Sequence, residues 1–177
     1  MIEQTCAFTG HRPQKFSWKN NESAPECIAL KAVLSEQIKL MTDSGFTDFL
    51  SGMAEGADVW AALSVLALRE KYPKLKLHCI LPCTTQADQW TESSRDLHHS
   101  ILKQADSIVF VHRDYQKNCM LDRNRFLAEH SSALLAVYNG ERRGGTAATI
   151  RYARKAGRDI TIIHPVTLQI SHESPVL

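Results

Sequence analysis

Short apolar runs alternate along this chain with longer stretches in which apolar residues recur every three or four positions. The runs predict strands at 5–9, 46–51, 75–81, 107–111, 134–138 and 159–163. They carry little polar alternation (Ile108-Val109-Phe110-Val111; Ile160-Thr161-Ile162-Ile163), the mark of strands sheltered by helices on both faces. Helices are predicted between them, over 25–41, 58–71, 85–104, 120–132 and 146–156. The first holds Ile28, Leu30, Leu34, Ile38 and Leu40, with Pro25 suited to its first turn. The second, with Trp60, Leu63, Leu66 and Leu68, reads as a buried crossover helix. The third has a break near Ser93-Ser94, and the last stops at Gly157, where a left-handed cap is expected. Steady strand–helix alternation defines an α/β protein with a mainly parallel sheet of about six strands and right-handed crossovers. Segment 14–24, polar with Phe16 and Trp18 embedded, reads as a loop bordering a site. From Ser171 the tail is expected to fray. No second domain is visible, so one domain covers 1–177, with a core at about 5–164.

The chemistry lies in the turns at the strand ends. The first predicted strand ends Thr9-Gly10-His11-Arg12-Pro13, the second Ser51-Gly52-Met53-Ala54-Glu55-Gly56-Ala57-Asp58, and the fifth leads through Asn139-Gly140 into Gly144-Gly145-Thr146. In a parallel sheet all three clusters fall on one edge, where open α/β sheets bind ligands. Glycines let backbone approach a ligand, and helix N-termini offer free N–H groups to a phosphate. Arg12 can fork two bonds to an anion, Glu55 can hold ribose hydroxyls, and Asp58 and Thr146 suit helix caps. Arg123 and Asn124 lie early in the preceding helix, within reach of the same crevice, and Trp90 with Gln86 can wall a base. Each cluster alone also reads as an ordinary turn. Neither GxGxxG nor GxxxxGK[ST] is present.

Composition narrows the field. The 177 residues carry a net charge of +2, too little to predict nonspecific nucleic-acid binding. Five cysteines form no CxxC pair, and Cys79 and Cys83 lack further ligands at zinc-site spacing. The histidines show no HExxH spacing, and neither Ser51 nor Thr9 sits in a nucleophile motif. No signal-like or membrane-length apolar run occurs, so a cytoplasmic location is expected.

Taken together, FTGHRP (8–13), SGMAEGADVWAA (51–62), LPCTTQADQW (81–90), RNRFLAEHSSALLAVYNG (123–140) and GGTAATIRYA (144–153) resemble the YpsA-like branch of the SLOG superfamily, named for its DprA (Smf) and LOG members. The resemblance spans roughly 5–164. It implies a Rossmann-like three-layer αβα sandwich, in bacterial proteins often without an assigned activity, that binds a nucleotide or nucleotide-derived phosphate-bearing ligand as a sensor or regulatory domain. It places the site on Thr9, Gly10, Arg12, Ser51, Gly52, Glu55, Gly56, Trp90, Arg123, Asn124, Gly144, Gly145 and Thr146. It implies no required cofactor and no metal, an ADP-ribose- or NAD-like molecule among the eligible ligands, and compatibility with a homo-oligomer. LOG relatives hydrolyse nucleoside monophosphates at the N-glycosidic bond with an arginine and a glutamate. Met120-Leu121-Asp122-Arg123-Asn124 is similar to their arginine segment, but Thr149 stands where the glutamate would, and a threonine supplies no carboxylate. Glu55 is the carboxylate that would have to replace it. DprA relatives bind single-stranded DNA; near-neutral charge and 7% aromatic content make nucleic acid the disfavoured partner.

Overall fold

A computed structural model describes residues 2–175. Its strands are β1 (Thr5–Gly10), β2 (Asp48–Ser51), β3 (Lys76–Leu81), β4 (Ser107–Phe110), β5 (Ala133–Val137), β6 (Asp159–Ile163) and β7 (Ile170–Glu173). The helices are α1 (Pro25–Asp43), α2 (Ala57–Leu68), α3 (Glu92–Gln104), α4 (Cys119–Glu129) and α5 (Gly145–Lys155). The strands form one sheet in the order β4-β3-β2-β1-β5-β6-β7, parallel except for β7 against β6. Strand order reverses between β1 and β5, so the loops after these two strands diverge to opposite faces and leave a crevice.

One apolar layer packs α1, α2 and α3 on the sheet through Leu30, Leu34, Ile38, Trp60, Val65 and Ile101, against Phe8, Phe49 and Leu77. The other packs α4 and α5 through Leu127, Ala128, Ile150 and Ala153, against Ala7, Leu134, Ala136 and Ile160. All five cysteines are free and buried; burial pushes the Cys79 thiol up to about 12 and Cys6 higher still. No helix among the described residues is long and apolar enough to cross a membrane.

The fold is the expected three-layer αβα sandwich, with local corrections. The sheet has seven strands rather than about six, because the segment expected to fray supplies β7. There Arg154 of α5 makes a two-pronged salt bridge to Glu173, at 2.8 Å through each nitrogen. β4 is not sheltered on both faces: it is an edge strand, and Ile108 and Phe110 are 42% and 46% exposed. Helix α3 begins only at Glu92, where the Thr91 hydroxyl accepts the Ser94 N–H at 3.3 Å. The residues before it are spent in turns closed by Asp88 N–H to Thr85 O and Trp90 N–H to Ala87 O. Thr146 is not the cap of α5; Gly144 occupies that position. Asp58 likewise lies inside the first turn of α2, after Gly56.

Segment 14–24 is less of a loop than its polarity suggests. A 3-10 turn over Pro13–Lys15 leads to Phe16, which is buried and stacks on Trp18 and Trp60 at ring-centroid distances of 4.8 and 5.5 Å. The indole N–H of Trp60 donates to Glu22 at 2.9 Å, closing the segment over α2.

Candidate functional site

At the reversal point a cavity of about 430 Å³ opens beside the C-terminal end of β1. It is lined by Thr9 and Gly10 at the end of β1, His11 and Arg12 just after it, Ala54 in the turn before α2, Asp58 in the first turn of α2, and Met120, Leu121, Arg123 and Asn124 of α4. Glu141, Arg143, Gly144, Gly145 and Thr146 between β5 and α5 complete it. Three helix N-termini therefore meet around one space. The first intrahelical bond of α5 runs from Ala148 N–H to Gly144 O, so the amides of Gly145 and Thr146 precede it. Arg12 and Arg143 are exposed at the mouth, and neither guanidinium makes a hydrogen bond to the protein among the described residues. Such guanidiniums, beside helix N-termini, suit an anion.

The floor is built differently. Arg123 is 4% exposed; its Nη1 donates a short hydrogen bond to Gly52 O and its Nε donates to Asn124 Oδ1 at 2.9 Å. Asn124 in turn donates to Gly145 O at 3.3 Å. This strut ties the loop after β2 to α4 and α5. A Cβ on Gly52 would collide with Arg123 Nη1, so only glycine allows that approach. Gly56 has φ +92°, and a Cβ there would meet His11 O at 2.7 Å, which locks the loops after β1 and β2 together. His11 Nε2 pairs with Asn139 Oδ1 at 2.8 Å, and Lys15 bridges Glu141 at 2.7 Å, joining the loops after β1 and β5. Burial holds His11 below its ordinary pKa, opposed by Asn139.

Asp58 is the carboxyl in the floor, 5% exposed, with Oδ2 4.0 Å from Arg123 Nη1 and accepting the Ala54 N–H at 3.4 Å. Burial pushes its pKa up to about 6, against the pull of Arg123, the Ala54 amide and Arg12. A carboxyl so tuned exchanges its proton near neutrality.

The residues anticipated from sequence divide into three groups. Thr9, Gly10, Arg12, Arg123, Asn124, Gly144, Gly145 and Thr146 line the crevice together. Ser51 and Gly52 lie beneath it: Ser51 is fully buried, donating to Asp58 O at 3.0 Å, and Gly52 serves Arg123. Glu55, Gly56 and Trp90 line a neighbouring cavity of about 590 Å³, which shares Gln14 with the first. Gln86 walls neither; it is buried, donating to Gly52 O at 3.0 Å. Asp58, Glu141 and Arg143 were not anticipated as lining the crevice, although Arg142-Arg143 was visible as a basic pair beside the glycines. Thr149 is fully buried and donates back to Gly145 O at 2.9 Å, so no carboxylate reaches the crevice from that turn of α5.

This geometry, an arginine-bearing crevice at the reversal point of a doubly wound sheet, defines a Rossmann-like domain. The sequence model of the YpsA group, described as the YspA SLOG family, matches residues 6–168, and the chain belongs to that family. A UPF0398 protein from Bacillus pumilus (strain SAFR-032) is 35% identical over 150 residues, covering 83% of this chain and 80% of the relative. Another, from Bacillus cereus (strain B4264), is 32% identical over 157 residues, covering 87% and 84%. Among solved structures, DNA processing protein A from Streptococcus pneumoniae aligns with a TM-score of 0.59 at 16% identity, over 90% of this chain; the chain spans only 50% of that protein's length. The Helicobacter pylori protein of the same name, whose structure was described for its single-stranded DNA binding mode, aligns at 0.60 with 18% identity, over 97% and 68%. The X-ray structure of TM1055 aligns at 0.53 with 15% identity, over 88% and 71%. At these identities the structures share the fold.

Proposed function

We propose that the crevice binds a nucleotide or nucleotide-derived ligand through its phosphate, and that the chain acts as a sensor or regulatory domain. The observation that carries this reading is the pair of uncommitted guanidiniums, Arg12 and Arg143, at the mouth of a cavity onto which the first amides of α5 open. Its volume falls within the ~300–1,000 Å³ of small-molecule sites. The neighbouring cavity, with Trp90 and Glu55, is placed to take a base or second sugar, which suits an ADP-ribose- or NAD-like ligand. Thermal unfolding in the presence of nucleoside mono- and diphosphates, NAD, ADP-ribose and ribose 5-phosphate tests it. A ligand at ~100 times its dissociation constant should stabilise the fold by about 2.7 kcal/mol. Arg12→Ala and Arg143→Ala should each reduce that shift. A well-folded protein that responds to none of the panel refutes the reading.

Hydrolysis of a nucleoside monophosphate at its N-glycosidic bond is the second reading, favoured by one feature: Asp58 and Arg123 share the floor of the crevice. Asp58 is better placed for this than Glu55, which faces the other cavity. Free base released by the wild type and not by Asp58→Asn would establish it. Single-stranded DNA enters only through the likeness of fold to DNA processing protein A, and an oligothymidylate belongs in the same panel.

A further inference from the structure

At the opposite, N-terminal edge of the sheet, on the face covered by α4, three side chains from adjacent parallel strands form a continuous hydrogen-bonded line. His78 of β3 places Nε2 2.8 Å from Asp48 Oδ1 of β2, and Nδ1 2.7 Å from Ser107 Oγ of β4. The other oxygen of Asp48 accepts the Thr47 hydroxyl at 2.7 Å. Burial works to raise the Asp48 pKa, but the hydrogen bonds from His78 and Thr47 hold it below its ordinary value, so the carboxylate is ionised and can only accept. Nε2 must then carry the proton toward Asp48, which leaves Nδ1 of a neutral ring as the acceptor for the Ser107 hydroxyl. The ring nitrogens serve in the opposite order to that of the chymotrypsin triad, yet the roles are the same: hydroxyl, base, and a carboxylate that orients the base. Such constellations are defined by geometry, not by chain order.

The line is not sealed in. Asp48 and His78 keep 25% and 21% of their side-chain surface, and all three residues border a cavity of about 340 Å³ whose other walls include Leu50, Ile80 and Val109. A ladder that served only to satisfy buried polar groups would have no need of an apolar recess beside its hydroxyl. His130 borders the recess too, its Nδ1 held by Phe126 O at 2.9 Å, so that Nε2 has no partner among the described residues.

The geometry points to a second site: Ser107 is a nucleophile, with His78 as its base and Asp48 as the positioning carboxylate, and it accepts the acyl group of a small ester with an apolar acyl chain. Ser107 Oγ bonds to the carbonyl carbon as its proton passes to His78 Nδ1. The tetrahedral adduct collapses, the bond to the alkoxide breaks, and His78 returns the proton to the leaving oxygen. Water then attacks the acyl-serine, giving its proton to His78, and the carboxylic acid departs as the proton returns to Ser107.

A fluorophosphonate probe tests this on the full chain, since Ser107 Oγ would displace fluoride from phosphorus. Peptide mass mapping should find the phosphonyl group on Ser107, with p-nitrophenyl butyrate hydrolysis blocked in parallel. His78→Ala should slow labelling on the order of 100-fold, the scale of a lost general base. Asp48→Asn, which keeps the shape of the side chain, should slow it as well, and decides the matter if His78→Ala does not fold. Labelling absent from Ser107, or equally fast in folded Asp48→Asn, overturns the proposal.

Discussion

Gly52 and Asp58 show how much the crevice depends on single atoms. Gly52→Ala puts a methyl into the space of Arg123 Nη1, and either the strut or the turn must move. A loss of about 2 kcal/mol is expected, the usual scale of overpacking, measurable by urea unfolding. For Asp58 the folded pKa of about 6 lies above the ordinary value of 3.8. Between those values the native chain holds a proton that the unfolded chain has released, so this group's contribution to stability is full below pH ~4 and lost as pH rises through ~6. Asp58→Asn should remove that slope. Anion affinity should follow the same direction, because protonation removes a negative charge from under the site. Sulfate, doubly charged throughout this range, should bind more tightly at pH 5 than at pH 7, on the order of tenfold for one unit of coupling. The part of that gain due to Asp58 should vanish in Asp58→Asn.

Elements were legible in the sequence wherever the apolar period was unbroken. Strands β1 to β6 and helices α1 and α2 fall where their patterns put them, to within a few residues. The errors arose where a neighbour decides the outcome. Residues 170–173 carry no strand-like alternation, but the open edge of β6 supplies hydrogen-bond partners and Arg154 a charge. β4 looks like an interior strand in composition and is the edge, because no later strand pairs beyond it. Segment 14–24 does border the crevice as its polarity suggests, through Gln14 and Lys15, but its packing was not legible: Phe16 is 4% exposed between two tryptophans. Phe16→Ala should cost about 3 kcal/mol and release amide protection across 14–24 while leaving α4 and α5 protected, a pattern that hydrogen exchange resolves.

At the scale of the molecule, the crevice was readable because each of its loops announces itself with glycine and small polar residues directly after a strand. The line from Asp48 through His78 to Ser107 was not. Its members lie about thirty residues apart in unremarkable strands and meet only through parallel register. Asp58 read as a cap for a similar reason, since nothing local says that the turn folds it down beside Arg123. The five sheltered sulfhydryls give the protein a built-in clock for its own opening. Cys6, Cys27 and Cys79 belong to the large apolar layer, whereas Cys119 starts α4 beside the crevice and Cys83 follows β3. Alkylation of Cys6 and Cys79 should proceed only as fast as the whole chain unravels, whereas Cys27, beside Trp18, should follow the opening of segment 14–24. Cys83 and Cys119 should react earlier whenever the rim alone breathes; a bound ligand should slow the core thiols by stabilising the whole fold, and Cys119 by closing the rim as well.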